Sequence, residues 1–234
     1  SQAQESYPSD HLGQVSIAAD ALLGVRKARV RNSQGVSNWL NFIVGELPEI
    51  VEDEIDGAPL PVAVALPVTI NGRMFPREDV DIWSFKARAG VSYTCEVMAQ
   101  RFGSPLDSRL TVVGPDGIAV AANEDYYGND SLLHFKATES GNYQVHIQDA
   151  NLGGLQHYVY RLMITDGPYI ESVYPMGGRR GSKIVLEATG QNLPKQPFEV
   201  QLPETLSGMN EHLWPTQMSI DNERTNSLQL ELSD

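Results

Sequence analysis

The chain has 234 residues, 41% of them hydrophobic, and a formal net charge of −13 from 30 acidic and 17 basic side chains. That length holds two domains, or one domain with flanking pieces, and enough apolar residues for ordinary cores. An acidic surface repels phosphate backbones, so no nucleic-acid partner is expected, and no apolar run approaches the ~20 residues of a spanning helix, so no membrane insertion is expected.

The first residues, SQAQESYPSD, carry no basic-then-apolar leader and read as the start of a piece cut from a longer protein. DALLGVRKARV (20–30) has partial helical spacing, but Gly24 interrupts it, and the stretch reads as loop followed by strand. From there almost every periodic stretch alternates with period two. LNFIVG (40–45), VDIWSFKA (80–87), VSYTCEVMA (91–99), RLTVVG (109–114), LLHFKAT (132–138), NYQVHIQD (142–149), YVYRLMIT (158–165), KIVLEATG (183–190) and SLQLELS (227–233) all predict strands. Turn signals separate them: NGR (71–73), GPDG (114–117), YGND (127–130), ESGN (139–142) and NLGG (151–154). Short strands with Gly and Pro turns predict an all-β chain built of sandwiches.

Two joints divide the chain. GELPEIVEDEIDGAPLP (45–61) carries six carboxylates and no basic residue between 46 and 56, so it predicts an extended, solvated linker unless a cation collects it. TDGPYI (165–170) predicts a turn before a new strand. The expected organisation is a flank over 1–45, an acidic linker over 46–58, one complete sandwich over 59–166 and a second flank over 167–234. The single cysteine, Cys95, excludes an intrachain disulfide. Alternation places it on one strand face with Val91, Tyr93, Val97 and Ala99, as a buried apolar residue and not a nucleophile.

Three stretches of the middle segment carry a resemblance. They are DVDIWSFKARAGVSYTCEV, GSPLDSRLTVVGPDGIAVAANED and NDSLLHFKATESGNYQVHIQD, in that order. Together they resemble the bacterial pre-peptidase C-terminal domain family. The resemblance implies a jelly-roll-like β-sandwich that accompanies secreted enzymes and cell-surface proteins and is not itself catalytic. GPYIESVYPMGGRRGSKIVLEATGQNLP (167–194) resembles the start of an immunoglobulin-like IPT/TIG domain, and ADALLGVRKARVRNSQGVSNWLNFIVG (19–45) resembles the end of one. On that resemblance the flanks are two Ig-like halves. A half-sandwich leaves an apolar face open, so the halves are expected to close into a composite domain, within one chain or by a swap between two.

The stretch REDVDIWSF (77–85) holds the main candidate site. With period two, Asp81, Trp83 and Phe85 share the core face, and a carboxylate at that rim needs a partner. Backbone N–H groups or a cation would serve. Calcium takes six to eight oxygens, and the acidic linker lies just upstream. The collagen-binding domains of clostridial collagenases are similar to this family, and there a Glu-x-Glu-x-Asn linker and an Asp-rich strand start hold calcium. On that likeness Glu52 and Glu54 match the two glutamates and Asp56 stands for the Asn. Asp81 matches the Asp before the aromatic strand and Glu78 the acidic residue three before it; Gly57 departs from an expected Asp. The alternatives are a Ca2+ site and a solvated linker beside a capped strand start.

Elsewhere the residues read as structure. Asn123, Asp125, Asn129 and Asp130 form a second acidic loop, read as a turn with a cation as the alternative, and Asp107 is read as a cap. Tyr126 and Tyr127 offer an aromatic platform for a sugar or peptide, or edge packing. The five histidines, His11, His134, His146, His157 and His212, match no zinc pattern, and His134 and His146 fall on outward, solvated faces. No Gly-x-Ser-x-Gly elbow exists, and GGRRGSK (177–183) lacks phosphate-loop spacing. No enzyme is expected. The expected function is a non-catalytic module of an exported or surface bacterial protein, placed outside the cell, in the periplasm or on the surface. It would act as a spacer, an adhesion unit or a binder of an extracellular protein or polysaccharide. The alternative is a calcium-dependent substrate-targeting domain of a secreted hydrolase.

Overall fold

Strict alternation becomes strand in every one of the nine stretches above, because period two lets one face of each strand enter a core. The computed structural model describes residues 14–21, 23–53, 60–206 and 212–234. It divides the chain into two compact units, Ser1–Gly45 and Glu46–Asp234.

The first unit contains β1 (Gly24–Ala28), β2 (Arg31–Asn32), β3 (Gly35–Val36) and β4 (Leu40–Val44). β1 pairs antiparallel with β4, and β2 with β3. Arg29 lies over the ring of Trp39 at 4.5 Å.

The second unit begins with a sandwich. Its strands are β5 (Glu49–Val51), β6 (Val62–Ala63), β7 (Val68–Arg73), β8 (Val80–Ala87), β9 (Ser92–Met98), β10 (Ser108–Val113), β11 (Ala119–Asn123), β12 (Leu132–Lys136), β13 (Gly141–Asp149) and β14 (Val159–Thr165). They form two five-stranded sheets, in the orders β11-β10-β13-β8-β6 and β12-β9-β14-β7-β5. Trp83, Phe85, Leu110, Tyr143 and Ile147 of the first sheet meet Ile70, Tyr93, Cys95, Phe135 and Leu162 of the second in one core. Aromatic rings link the sheets, with centroids 5.3 Å apart for Phe85–Tyr93 and 5.6 Å for Phe135–Tyr143. Each such side chain contributes about 1.5–3 kcal/mol by leaving water.

Two local expectations change. The first half of the acidic stretch is not a solvated linker: β5 pairs in parallel with β7, and Arg161 forks onto the Glu49 carboxylate at 2.7 and 2.8 Å. NGR (71–73) is not a turn either. It lies inside β7, where Asn71 donates to Glu49 and Gly72 lets another side chain approach closely.

After a three-residue joint the second unit continues with β15 (Tyr169–Tyr174), β16 (Gly177–Arg179), β17 (Lys183–Gln191), β18 (Phe198–Gln201), β19 (Leu213–Thr216), β20 (Ser219–Ile220), β21 (Glu223–Arg224) and β22 (Leu228–Ser233). Two three-stranded sheets, β15-β17-β18 and β16-β22-β19, close around Ile170, Leu186, Val200, Leu202, Leu230 and Leu232. GGRRGSK supplies β16 and the turn into β17, where Ser182 donates to the Arg179 carbonyl at 2.6 Å.

Candidate functional site

Asp81 enters the sandwich at the start of β8, on the same face as Trp83 and Phe85. It is 8% exposed, and both rings are 2% exposed. Its partner comes from β14, 79 residues later. Tyr160 donates its hydroxyl to Asp81 Oδ2 at 2.8 Å and accepts the Trp83 indole N–H at 3.1 Å. The indole, phenol and carboxyl therefore form one buried chain.

A second carboxyl reaches the same place. Glu52, just past β5, accepts the Arg73 backbone N–H through Oε2 at 3.0 Å and is hydrogen-bonded to Asp81. Gly72 makes the approach possible. A Cβ there would stand 2.5 Å from the Tyr160 ring and hydroxyl and 2.6 Å from Glu52 Oε2. Gly72→Ala is therefore expected to destabilise the fold by about 1–3 kcal/mol through overpacking, read by urea denaturation. An unchanged midpoint would mean that the strand shifts without cost.

Two carboxyls hydrogen-bonded to each other share a proton. Burial first, then Glu52, pushes Asp81 up to about 9, against the opposing hydroxyl of Tyr160. The native state thus holds a proton that the unfolded chain releases at ordinary carboxylate pH. Native binding exceeds unfolded binding between about pH 4 and pH 9, so stability falls as pH rises through that window. In EDTA, thermal melting is expected to decline from pH 5 to pH 9, and Asp81→Asn, which does not titrate, is expected to flatten the decline. A flat wild-type profile would rule out the shared proton.

The other proposed ligands are placed unequally. Glu78 is exposed in the turn before β8 with φ at 66°. Asp79 beside it accepts the N–H groups of Phe75 and Val80 at 3.0 and 2.9 Å, and its charge adds to that of Glu52 in raising Asp81. Glu54 and Asp56 lie outside the described residues. Among the described residues, no group of three or more His, Cys, Asp or Glu gathers as a metal centre. The pair present, Glu52 and Asp81, offers only hard oxygen donors, which suit calcium in kind.

The second acidic loop is committed elsewhere. Asp130 is fully buried and accepts four N–H bonds: from the backbone of Ala99, Gln100 and Arg101, and from Arg101 Nε at 2.7 Å. Asn123 caps the Leu132 N–H. Asp107 accepts Asn151 Nδ2 at 2.8 Å, while its own N–H donates to Asp149. Tyr126 and Tyr127 pack edge to face, with Arg101 over Tyr127 and the Tyr126 hydroxyl on Glu171 of β15. Cys95 is fully buried, and burial alone pushes its thiol up, away from the reactive form. His146 bonds Gln144 at 3.0 Å. His134 is not solvated: Nδ1 lies 2.9 Å from Thr94 Oγ1 and Nε2 lies 3.2 Å from Glu171 Oε1, without hydrogen-bond geometry. His11 lies outside the described residues.

Fold and site together define an all-β chain, built on a β-sandwich, whose buried carboxylates Asp81, Glu96 and Asp130 are engaged with other side chains and with the backbone. No family model matches the chain. Over 75 residues, 32% of its length, it is 35% identical to a probable subtilase-type serine protease of Deinococcus radiodurans, and it spans 10% of that protein. The pre-peptidase C-terminal domain of Bacillus anthracis collagenase is similar at a TM-score of 0.39 and 16% identity, covering 47% of this chain and 100% of that one. Aeromonas hydrophila PliG, a periplasmic inhibitor of g-type lysozyme, is similar at 0.34 and 16%, covering 50% and 95%.

Proposed function

We propose that the chain is a non-catalytic β-sandwich module of a larger exported or surface bacterial protein, serving as a spacer, an adhesion unit or a binder of an extracellular protein or polysaccharide. The observation that carries this reading is that the buried chemistry-bearing side chains are held by partners within the protein, with only His134 Nε2, among the described residues, left without a hydrogen bond. Asp130, Asp149, Glu49 and Asp81 are held by N–H or O–H donors from the protein itself, His134 and His146 by side-chain partners, and Cys95 by apolar packing. Groups so engaged lack the open, convergent geometry that a general base or nucleophile needs. The 75-residue likeness to a probable subtilase-type protease supports a place within a larger protease-associated chain.

A second reading rests on a different observation, the convergence of Glu52 and Asp81. In that reading calcium replaces the shared proton, Tyr160 orients the Asp81 oxygen, and the acidic stretch folds onto the sandwich with the neighbouring carboxylates as further ligands. The module would then target a secreted hydrolase to its substrate in a calcium-dependent way.

The test is co-sedimentation of the full chain with insoluble collagen, chitin and peptidoglycan, in EDTA and in millimolar calcium, with release of soluble products measured alongside. Binding without product release is expected. Turnover abolished by Asp81→Asn would overturn the non-catalytic reading, and binding only in calcium would favour the second.

A further inference from the structure

The sandwich and the β15–β22 module are joined by only three residues, Asp166–Pro168, between the end of β14 and the start of β15. Around that joint lies a polar cluster whose Tyr169, Glu171 and Asn192 neither reading of the function uses. Glu96 of β9 points away from the sandwich core yet is only 3% exposed, because Tyr169 of β15 covers it. The Tyr169 hydroxyl donates to Glu96 Oε2 at 3.0 Å, and Arg101 donates to Glu96 Oε1 at 2.9 Å. Arg101 in turn holds Asp130, so one ion cluster runs from the buried loop of the sandwich into the first strand of the next module.

Two further sets of bonds cross the joint. Glu171 of β15 receives the Tyr126 hydroxyl at 2.9 Å on one oxygen and faces His134 Nε2 at 3.2 Å with the other. Asn192, in the left-handed region at φ 55°, sets Nδ2 against the carbonyls of Ser92, Asp166 and Gly167 at 3.1, 2.9 and 3.2 Å. It ties β9 and the joint to the end of β17. The Arg88–Asp166 pair is 74% and 30% exposed and adds little.

We propose that Tyr169, Glu171 and Asn192 form a clasp that locks the sandwich and the β15–β22 module into one rigid body. A three-residue link without cross-contacts leaves relative motion as the default. Here the link is crossed by one buried, charge-assisted hydrogen bond, from Tyr169 to Glu96, which is strong and directional, and by exposed bonds at Glu171 and Asn192 on its other sides. The Tyr126–Tyr127 loop, read from the sequence as either a ligand platform or edge packing, is on this account part of the clasp. The inference extends the spacer reading, since a stiff joint transmits orientation along a multidomain chain. Its failure would leave the binding readings untouched.

Spin labels on the full chain test it. Lys86→Cys on β8 and Val185→Cys on β17 place both labels on exposed strand positions, and Cys95 is too buried to label. Pulsed dipolar spectroscopy is expected to give one narrow distance distribution. Adding Tyr169→Phe, Glu171→Ala and Asn192→Ala is expected to broaden it severalfold while circular dichroism still shows folded sheet. A broad distribution without those changes overturns the rigid body, and a narrow one with them overturns the clasp. If the triple variant fails to fold, Tyr169→Phe with Asn192→Ser reads the same broadening in a milder form, and no broadening there overturns the clasp.

Discussion

On the calcium reading, millimolar calcium raises the melting temperature of the EDTA-treated chain by roughly 5–10 °C. The size follows from linkage: a ligand at a hundred times its dissociation constant adds about 2.7 kcal/mol to a native state that alone binds it. In a chain of this length a kilocalorie moves the midpoint by about 2–4 °C. The structural ground is the pairing of Glu52 with Asp81, a buried carboxyl that keeps a proton beside its neighbour. A divalent ion removes that need, so the calcium response should grow with pH as the displaced proton becomes easier to release. Asp81→Ala and Glu54→Ala are each expected to abolish the rise, while Glu139→Ala, on the far turn before β13, should leave it intact. No rise at 10 mM calcium would reduce the site to a proton-sharing pair at a strand's mouth.

Much of the sandwich could be read from alternation, because one face of each long strand enters the core and the period of two holds from Gly141 to Asp149 and, apart from the buried Ser84, from Val80 to Ala87. Where a strand breaks the pattern, reading fails. β7 ends in Asn-Gly-Arg, an ordinary turn signal, yet the glycine is there to admit Tyr160 and Glu52. A glycine inside a strand marking a close approach is the signal that was available. The site was half legible. Asp81 had to be satisfied because it shares a face with Trp83 and Phe85, but nothing local points to Tyr160. That pairing arises from the antiparallel stacking of β14 on β7 and the facing of the two sheets. His134 differs from its reading for another reason. It lies, like Glu96, on the outer face of the sheet that holds β12 and β9, and alternation assigns that face to water. The face is closed by Tyr169 and Glu171 of the following module, a tertiary fact that strand periodicity does not encode.

Asp130→Ala is expected to cost about 3–5 kcal/mol, because it removes a fully buried carboxylate that holds four N–H bonds, three of them from the backbone. Asp130 is fully buried, and its two oxygens accept four N–H bonds that bend residues 99–103 into the single helical turn Gln100–Phe102. Three of those donors are backbone groups that would lose their acceptor in a water-poor place, each at a cost of about 1–3 kcal/mol if nothing replaces it. Arg101 would keep Glu96 and the Val97 carbonyl, so part of the cluster survives and the total stays below the sum of its parts. Asp130→Asn keeps the shape and can still accept from Ala99 and Gln100 through one oxygen, but it turns an amide N–H2 toward Arg101. It should fall between wild type and the alanine variant. The measurement is urea denaturation of all three proteins, with a midpoint order of wild type, Asn, Ala. Equal midpoints for Asp130→Ala and wild type would mean that water replaces the carboxylate. The loop would then owe its form to Arg101 stacking on Tyr127 at 4.5 Å and not to the buried charge.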